Sequence, residues 1–249
     1  MRRQVVDVSS DRIWMLDTSK KIHLPWLWSE CIAWKNLPKN LCTSLYMIYN
    51  VREGMADVFY DLNEMNSCRK TLCDRLEANA EDIDVITSSC KSEHDKLIQV
   101  ALDLDKVDLV SLPDATLYKL YDVILKQYTE FFKYSCILKL ISKNEKLMTS
   151  FIERGISQDY IESAIVALML SSNRLFLEIS ERLQRSEEFI MYMTPEEMEC
   201  ALHGGVFDEL DVESRMKHYL LVYDLEKDNP HVYMDERARV MEISLKTKR

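Results

Sequence analysis

Only four glycines and five prolines interrupt a chain of 249 residues. Glycine breaks regular structure through its backbone freedom, and proline through its fixed φ and missing N–H. So few of them leave long uninterrupted runs, which favours long helices over many short strands joined by tight turns. The chain is therefore expected to be mainly α. Its hydrophobic share of 47% is enough to build a core, in one large domain or two small ones.

Charge narrows the function classes. The formal net charge is −10 and the isoelectric point about 5.1. A protein that grips phosphate backbones needs a basic face, so a nucleic-acid partner is not expected. The basic clusters sit at the ends, MRR at 1–3 and KTKR at 246–249, and read as solvated tails. The most apolar run, Ile161 to Ile179, carries Glu162, Asn173, Arg174 and Glu178, so no membrane span is expected. No apolar leader follows the N-terminus. Seven cysteines occur without a CxxC pair, and Cys68 and Cys73 are poorly spaced for a zinc knuckle. They read as reduced, mostly buried thiols of a cytoplasmic protein.

Three segments follow from the pattern. Residues 1–40 hold all four tryptophans, Trp14, Trp26, Trp28 and Trp34. RIWML (12–16) can form a short strand, and LPWLWSECIAW (24–34) an aromatic cap packed on helices. Residues 41–205 show helical periodicity and form a bundle, giving about five or six helices in all. Leu45, Ile48, Val51, Met55, Val58 and Leu62 open a stripe that predicts one long helix over 45–76, with Gly54 tolerated inside it. The same stripe can instead pair with a partner helix, a second copy of the chain included. Further helices are expected from near Glu81 to Leu104, within 108–145 with Ser111 or Asp114 as cap, Pro113 in the first turn and Ser142–Glu145 ending or bending it, up to Arg154 with Gly155 as its exit, and from Ser157 to about Glu187. Residues 206–249 form a small α+β extension: a short helix at 211–217, then two strands within 218–236 around Glu226–Pro230, then a basic tail.

A search for chemistry returns little. There is no Gly-rich phosphate loop, HExxH, GxSxG or Glu-x-x-His. Glu81-Asp82-Ile83-Asp84 suits a helix N-terminus. The histidines at 23, 94, 203, 218 and 231 share no metal-ligand spacing. Glu199 and His203 lie one turn apart and read as a surface pair, and Arg174 as an ion-pair partner of Glu178. The stretch MTPEEMECALHGG (193–205) places a histidine beside two glycines, yet each residue has a structural role. Thr194 caps, Pro195 takes the first helical position, Glu197 completes a capping box, and Met193 and Met198 are placed for a hydrophobic staple. Gly204 then provides the exit. No catalytic residue, metal ligand or cofactor is assigned, and the chain is not expected to be active alone.

Two elements carry a family resemblance. In the first, Tyr192, Met193, Thr194, Glu196, Glu197 and Met198 follow a Tyr-Leu-Thr-x-Glu-Glu-Leu turn at the end of a helical segment. In the second, Val212 and Arg215 follow an Ile-x-x-Arg helix that leads into a short extended piece. This order resembles the helical region preceding the phosphohistidine domain of PEP-utilising enzymes, the group of PEP synthase and rifampin phosphotransferase. The resemblance spans roughly 40–240, with about thirty residues carrying its specificity. It implies a non-catalytic linker module acting with ATP-grasp and phosphohistidine domains supplied in cis or in trans. Neither domain is recognisable here, and His203-Gly204-Gly205 is not the family's histidine loop, because its glycines follow the histidine. No active-site residue carries over. Arg215 is the matched polar residue to follow, with a structural ion pair as its plain role. The alternative is a helical scaffold or interaction protein without chemistry of its own.

Overall fold

A computed structural model describes residues 14–21, 23–37, 45–224, 230–234 and 238–239. Strand β1 (Trp14–Lys21) is followed by helix α1 (Leu24–Lys35), strands β2 (Tyr46–Arg52) and β3 (Met55–Asp61), and helices α2 (Leu62–Ala78) and α3 (Ala80–Lys106). A 3-10 turn at Leu109–Ser111 leads to α4 (Asp114–Ile141), α5 (Glu145–Glu153) and α6 (Gln158–Leu183). The short α7 (Glu187–Ile190), α8 (Pro195–Leu202) and α9 (Glu209–Lys217) precede strands β4 (His218–Asp224) and β5 (His231–Met234). The fold is mainly α, as the scarcity of breakers requires. The basic clusters at 1–3 and 246–249, residues 12–13 of RIWML and residues 225–229 lie outside the described residues.

One expectation fails. The helix read over 45–76 begins only at Leu62, and a β-hairpin occupies the stretch before it. The cause is burial on both faces. Met47, Tyr49 and Val51 face the main core, while Ile48 joins Phe59, Leu220 and Val222 in a second, smaller one. A strand apolar on both sides lacks clean alternation, and its residues then satisfy a count by threes and fours. Gly54 is not inside a helix. Arg52 pairs with Met55, and Glu53 and Gly54 between them stand at φ 49° and 76°. Two consecutive positive φ values are what a two-residue type I′ turn demands.

The five strands form one antiparallel sheet in the order β1-β3-β2-β4-β5. It draws strands from all three sequence segments. The face bearing Tyr49, Tyr60, Tyr219 and Tyr223 joins the same core as α1 and the helical layer. In that layer α4 is central, packed against α1, α3 and α6. Among the described residues α6 is the one helix long and apolar enough to cross a membrane by length and composition. Its apolar face, including Ile161, Leu168 and Leu175, is buried in the protein core.

Local capping sets the helix ends. Asp61 accepts the amides of Asn63 and Glu64, each at 3.0 Å, and so stops β3 and starts α2. Asn79 closes α2 and caps α3. Ser157 caps α6, accepting from the Tyr160 amide at 3.1 Å. Gly155, at φ 80°, lets α5 end in a paired exit, with the Ile156 amide on the Phe151 carbonyl at 3.0 Å. Arg174 does not pair with Glu178, which is taken by Arg182 at 2.7 Å. Arg174 instead donates to the Asp105 carbonyl at 2.7 Å, across 69 residues, and so holds the end of α3. The expectation of seven reduced thiols also fails, because Cys68 is disulfide-bonded. Cys31, Cys73, Cys90, Cys136 and Cys200 form no disulfide.

Two measurements test this packing. A Cβ added at Gly54 would meet the Tyr192 hydroxyl at 3.6 Å, an ordinary contact, so Gly54→Ala is charged only for its backbone. Urea unfolding should show a loss of about 1–2 kcal/mol. Burial pushes the Cys90 thiol from 9.0 up to about 12. Folding therefore favours the neutral thiol. Its contribution is complete below about pH 9 and is lost as pH rises through about 12. The urea midpoint should fall across that window, and by less in Cys90→Ala.

Candidate functional site

The stretch at 193–205 folds as its residue types require. Thr194 accepts the Glu197 amide at 3.2 Å, and the Glu197 carboxylate accepts the Thr194 amide at 2.8 Å, so the capping box is complete. Met193 and Met198 are both fully buried. Gly204 stands at φ 72°. Gly205 is needed for a different reason, since a Cβ there would come within 2.5 Å of the Cys200 sulfur. His203 and Glu199 do not form a side-chain pair. The His203 Nδ1 lies 2.8 Å from the Glu199 backbone carbonyl, and its exposed ring packs edge-on against Tyr118. No reactive arrangement forms at this end of α8.

The cap is completed by a residue eighteen positions away. Arg215, on α9, is 3% exposed and pairs with the same Glu197 oxygen that closes the capping box. Its Nε donates to the Tyr192 carbonyl at 2.8 Å. A guanidinium this deeply buried needs both a counter-charge and acceptors for its donors, and this arrangement supplies them. Tyr192 extends the connection. Its ring meets His23 and Tyr219 edge-on, with centroids 6.4 Å and 6.2 Å away, and its hydroxyl lies beside Gly54. Burial raises the Tyr192 pKa. The Leu24 amide donates to the Met191 carbonyl at 3.1 Å, which ties the start of α1 to the same segment. The 191–197 segment thus joins α1, the β2–β3 turn, α9 and β4.

Beside this junction lies a cavity of about 550 Å³, lined by His23, Trp26, Gly54, Asn173, Glu188 and Tyr192 among others. Met169 separates it from a second cavity between α4 and α6. Among the described residues no group of three or more His, Cys, Asp or Glu side chains is placed to hold a metal ion.

No family model, curated protein or solved structure matches this chain.

The structure brings together Tyr192, Thr194, Glu197 and Arg215, and leaves His203 and Arg174 apart from them. Arg215 does form a structural ion pair; its partner was hidden because Glu197 was already explained as a cap. Sequence reasoning passed over Glu30, which is 3% exposed on α1 and lines the second cavity. The signal available was a single carboxylate inside the apolar run LPWLWSECIAW.

The dual use of Glu197 yields a comparison. Thr194→Ala removes one capping bond and should cost about 1 kcal/mol in chemical denaturation. Glu197→Ala also strands a buried guanidinium and should cost about 3 kcal/mol or more. Equal losses would mean that the ion pair adds nothing to the cap.

Proposed function

We propose that this chain is a non-catalytic helical module of the kind that precedes the phosphohistidine domain in PEP-utilising phosphotransferases. It would work beside ATP-grasp and phosphohistidine domains supplied in cis or in trans. One observation carries the reading. The two sequence elements that bear the resemblance, Tyr192–Met198 and Val212–Arg215, interlock through the Arg215 contacts to Tyr192 and Glu197. Residues matched to one family pattern therefore work as one structural unit: Tyr192, Met193 and Met198 pack, Thr194 and Glu197 cap, and Arg215 and Glu197 neutralise one another. Such a module fixes the spacing and orientation of the domains that exchange the phosphoryl group. This reading implies a cytoplasmic protein, since ATP is spent there. The five cysteines outside any disulfide suit that compartment, while the Cys68 disulfide is of a kind uncommon there.

A second reading, a scaffold that associates with a partner or with itself, is favoured by the exposed apolar stripe Val166, Leu170 and Leu177 on α6. Calorimetric titration against phosphohistidine domains encoded in the same genome tests the first reading. A saturable complex with a Kd of about 1–100 µM is expected for the domain it serves. Absence of binding to every such domain overturns it, and heat of dilution from self-association would move support to the scaffold.

A further inference from the structure

The cavity beside Tyr192 opens where four parts of the chain meet. Trp26 enters from α1, Glu53 from the β2–β3 turn and Met169 from α6, while Glu187, Glu188 and Met191 come from α7 and the residue after it. Its volume of about 550 Å³ lies within the range of about 300–1,000 Å³ in which small-molecule sites fall.

Two features of its wall call for a ligand. The first is charge. Glu53 and Glu188 both bear electrostatically on the Tyr192 hydroxyl, so the hairpin turn and α7 present their acids to one region. Neither these carboxylates nor that of Glu187 take an ion pair or a hydrogen bond among the described residues, and no lysine or arginine stands among the described residues of the wall. The second feature is Trp26, which is 4% exposed. Its ring packs against Tyr128 and Phe176, with centroids 4.9 Å and 5.9 Å away. Its indole N–H meets no oxygen or nitrogen acceptor among the described residues, although a buried indole N–H ordinarily has one. Between the acids and the indole, Met169 and Met191 supply apolar, adaptable surface.

These features exclude most ligand classes. An anion would meet three carboxylates and no basic side chain. A neutral hydrocarbon would cover both the carboxylates and the indole N–H without pairing either. A metal ion finds no group of three or more His, Cys, Asp or Glu among the described residues placed to hold it, and it offers the indole N–H no lone pair. What remains is an ammonium for the acids, hydrocarbon for the methionines and an oxygen for the indole. We propose that this cavity binds a small organic cation that also carries an uncharged oxygen acceptor, with its ammonium toward Glu53 and Glu188, its hydrocarbon against Met169 and Met191, and its oxygen on the Trp26 N–H. The inference stands independently of the phosphotransferase reading.

Titration calorimetry of the full chain at neutral pH with three probes of similar shape tests it. Leucinamide carries both the ammonium and the carbonyl, isoamylamine lacks the carbonyl, and isocaproamide lacks the ammonium. Saturable one-to-one binding of leucinamide is expected, at least about fivefold tighter than that of either analogue. Glu53→Gln and Glu188→Gln should each weaken leucinamide about threefold and leave isocaproamide unchanged. Trp26→Phe removes the N–H and should abolish the preference for leucinamide over isoamylamine. Glu153→Gln, at an exposed position at the end of α5, should leave affinity unchanged, which separates a site from general attraction of a cation to an acidic protein. No saturable binding of leucinamide up to about 10 mM overturns the proposal, as does equal affinity for all three probes. Unchanged affinity for leucinamide in both Glu53→Gln and Glu188→Gln overturns it too. Should Trp26→Phe fail to fold, equal affinity of the unmodified chain for leucinamide and isoamylamine overturns the role of the indole.

Discussion

Arg215 is a positive charge held almost out of reach of water, and the C-terminal half of the molecule is arranged around satisfying it. Desolvating a guanidinium costs several kcal/mol, which only a close counter-charge and well-placed acceptors offset. Glu197 supplies the charge and can do so because the capping box already fixes its side chain at the start of α8. The Tyr192 carbonyl supplies an acceptor and is held by a turn after α7. Arg215 lies three residues before β4, so the same pair sets where the last helix hands the chain to the sheet. Through Tyr192 the connection reaches His23 before α1 and Gly54 in the hairpin turn. This polar cluster is thus one of the joints between helical layer and sheet, beside the Lys139–Tyr60 contact between α4 and β3.

What could be read from the sequence was what is decided within a few residues. The capping box at Thr194, the cap at Ser157 and the exits at Gly155 and Gly204 all follow from side-chain and backbone chemistry spanning one helical turn. The strands at 218–224 and 231–234 were legible from aromatic and β-branched runs beside turn residues. What escaped was decided at a distance. The hairpin at 46–61 is apolar on both faces because two cores meet across it, so its pattern imitates a helix. Its turn, Glu53-Gly54, lacks the Asn-Gly or Asp-Gly signature of such turns. Arg174 is held by backbone carbonyls, which no residue type announces. The candidate site divides in the same way: Tyr192, Glu197 and Arg215 were visible as motif members, but their convergence on one ion pair was not.

The two polar features of the molecule do opposite work. In the Arg215 cluster the donors and acceptors point at one another, leaving a closed and rigid joint. In the α4–α6 cleft, Glu30 and the neighbouring rings line a volume large enough to admit another molecule.

The position of β2 has a consequence for biosynthesis. Its partners are β3, a few residues downstream, and β4, whose Asp224 pairs with Tyr46 across the entire helical bundle. On the ribosome, β3 emerges at once and the helices can begin to assemble, but the other edge of β2 must wait for more than two-thirds of the chain to follow. Throughout that interval an apolar strand presents unpaired amides and carbonyls. The hairpin that imitates a helix on paper is therefore also the element most open to mispairing while the protein is being made.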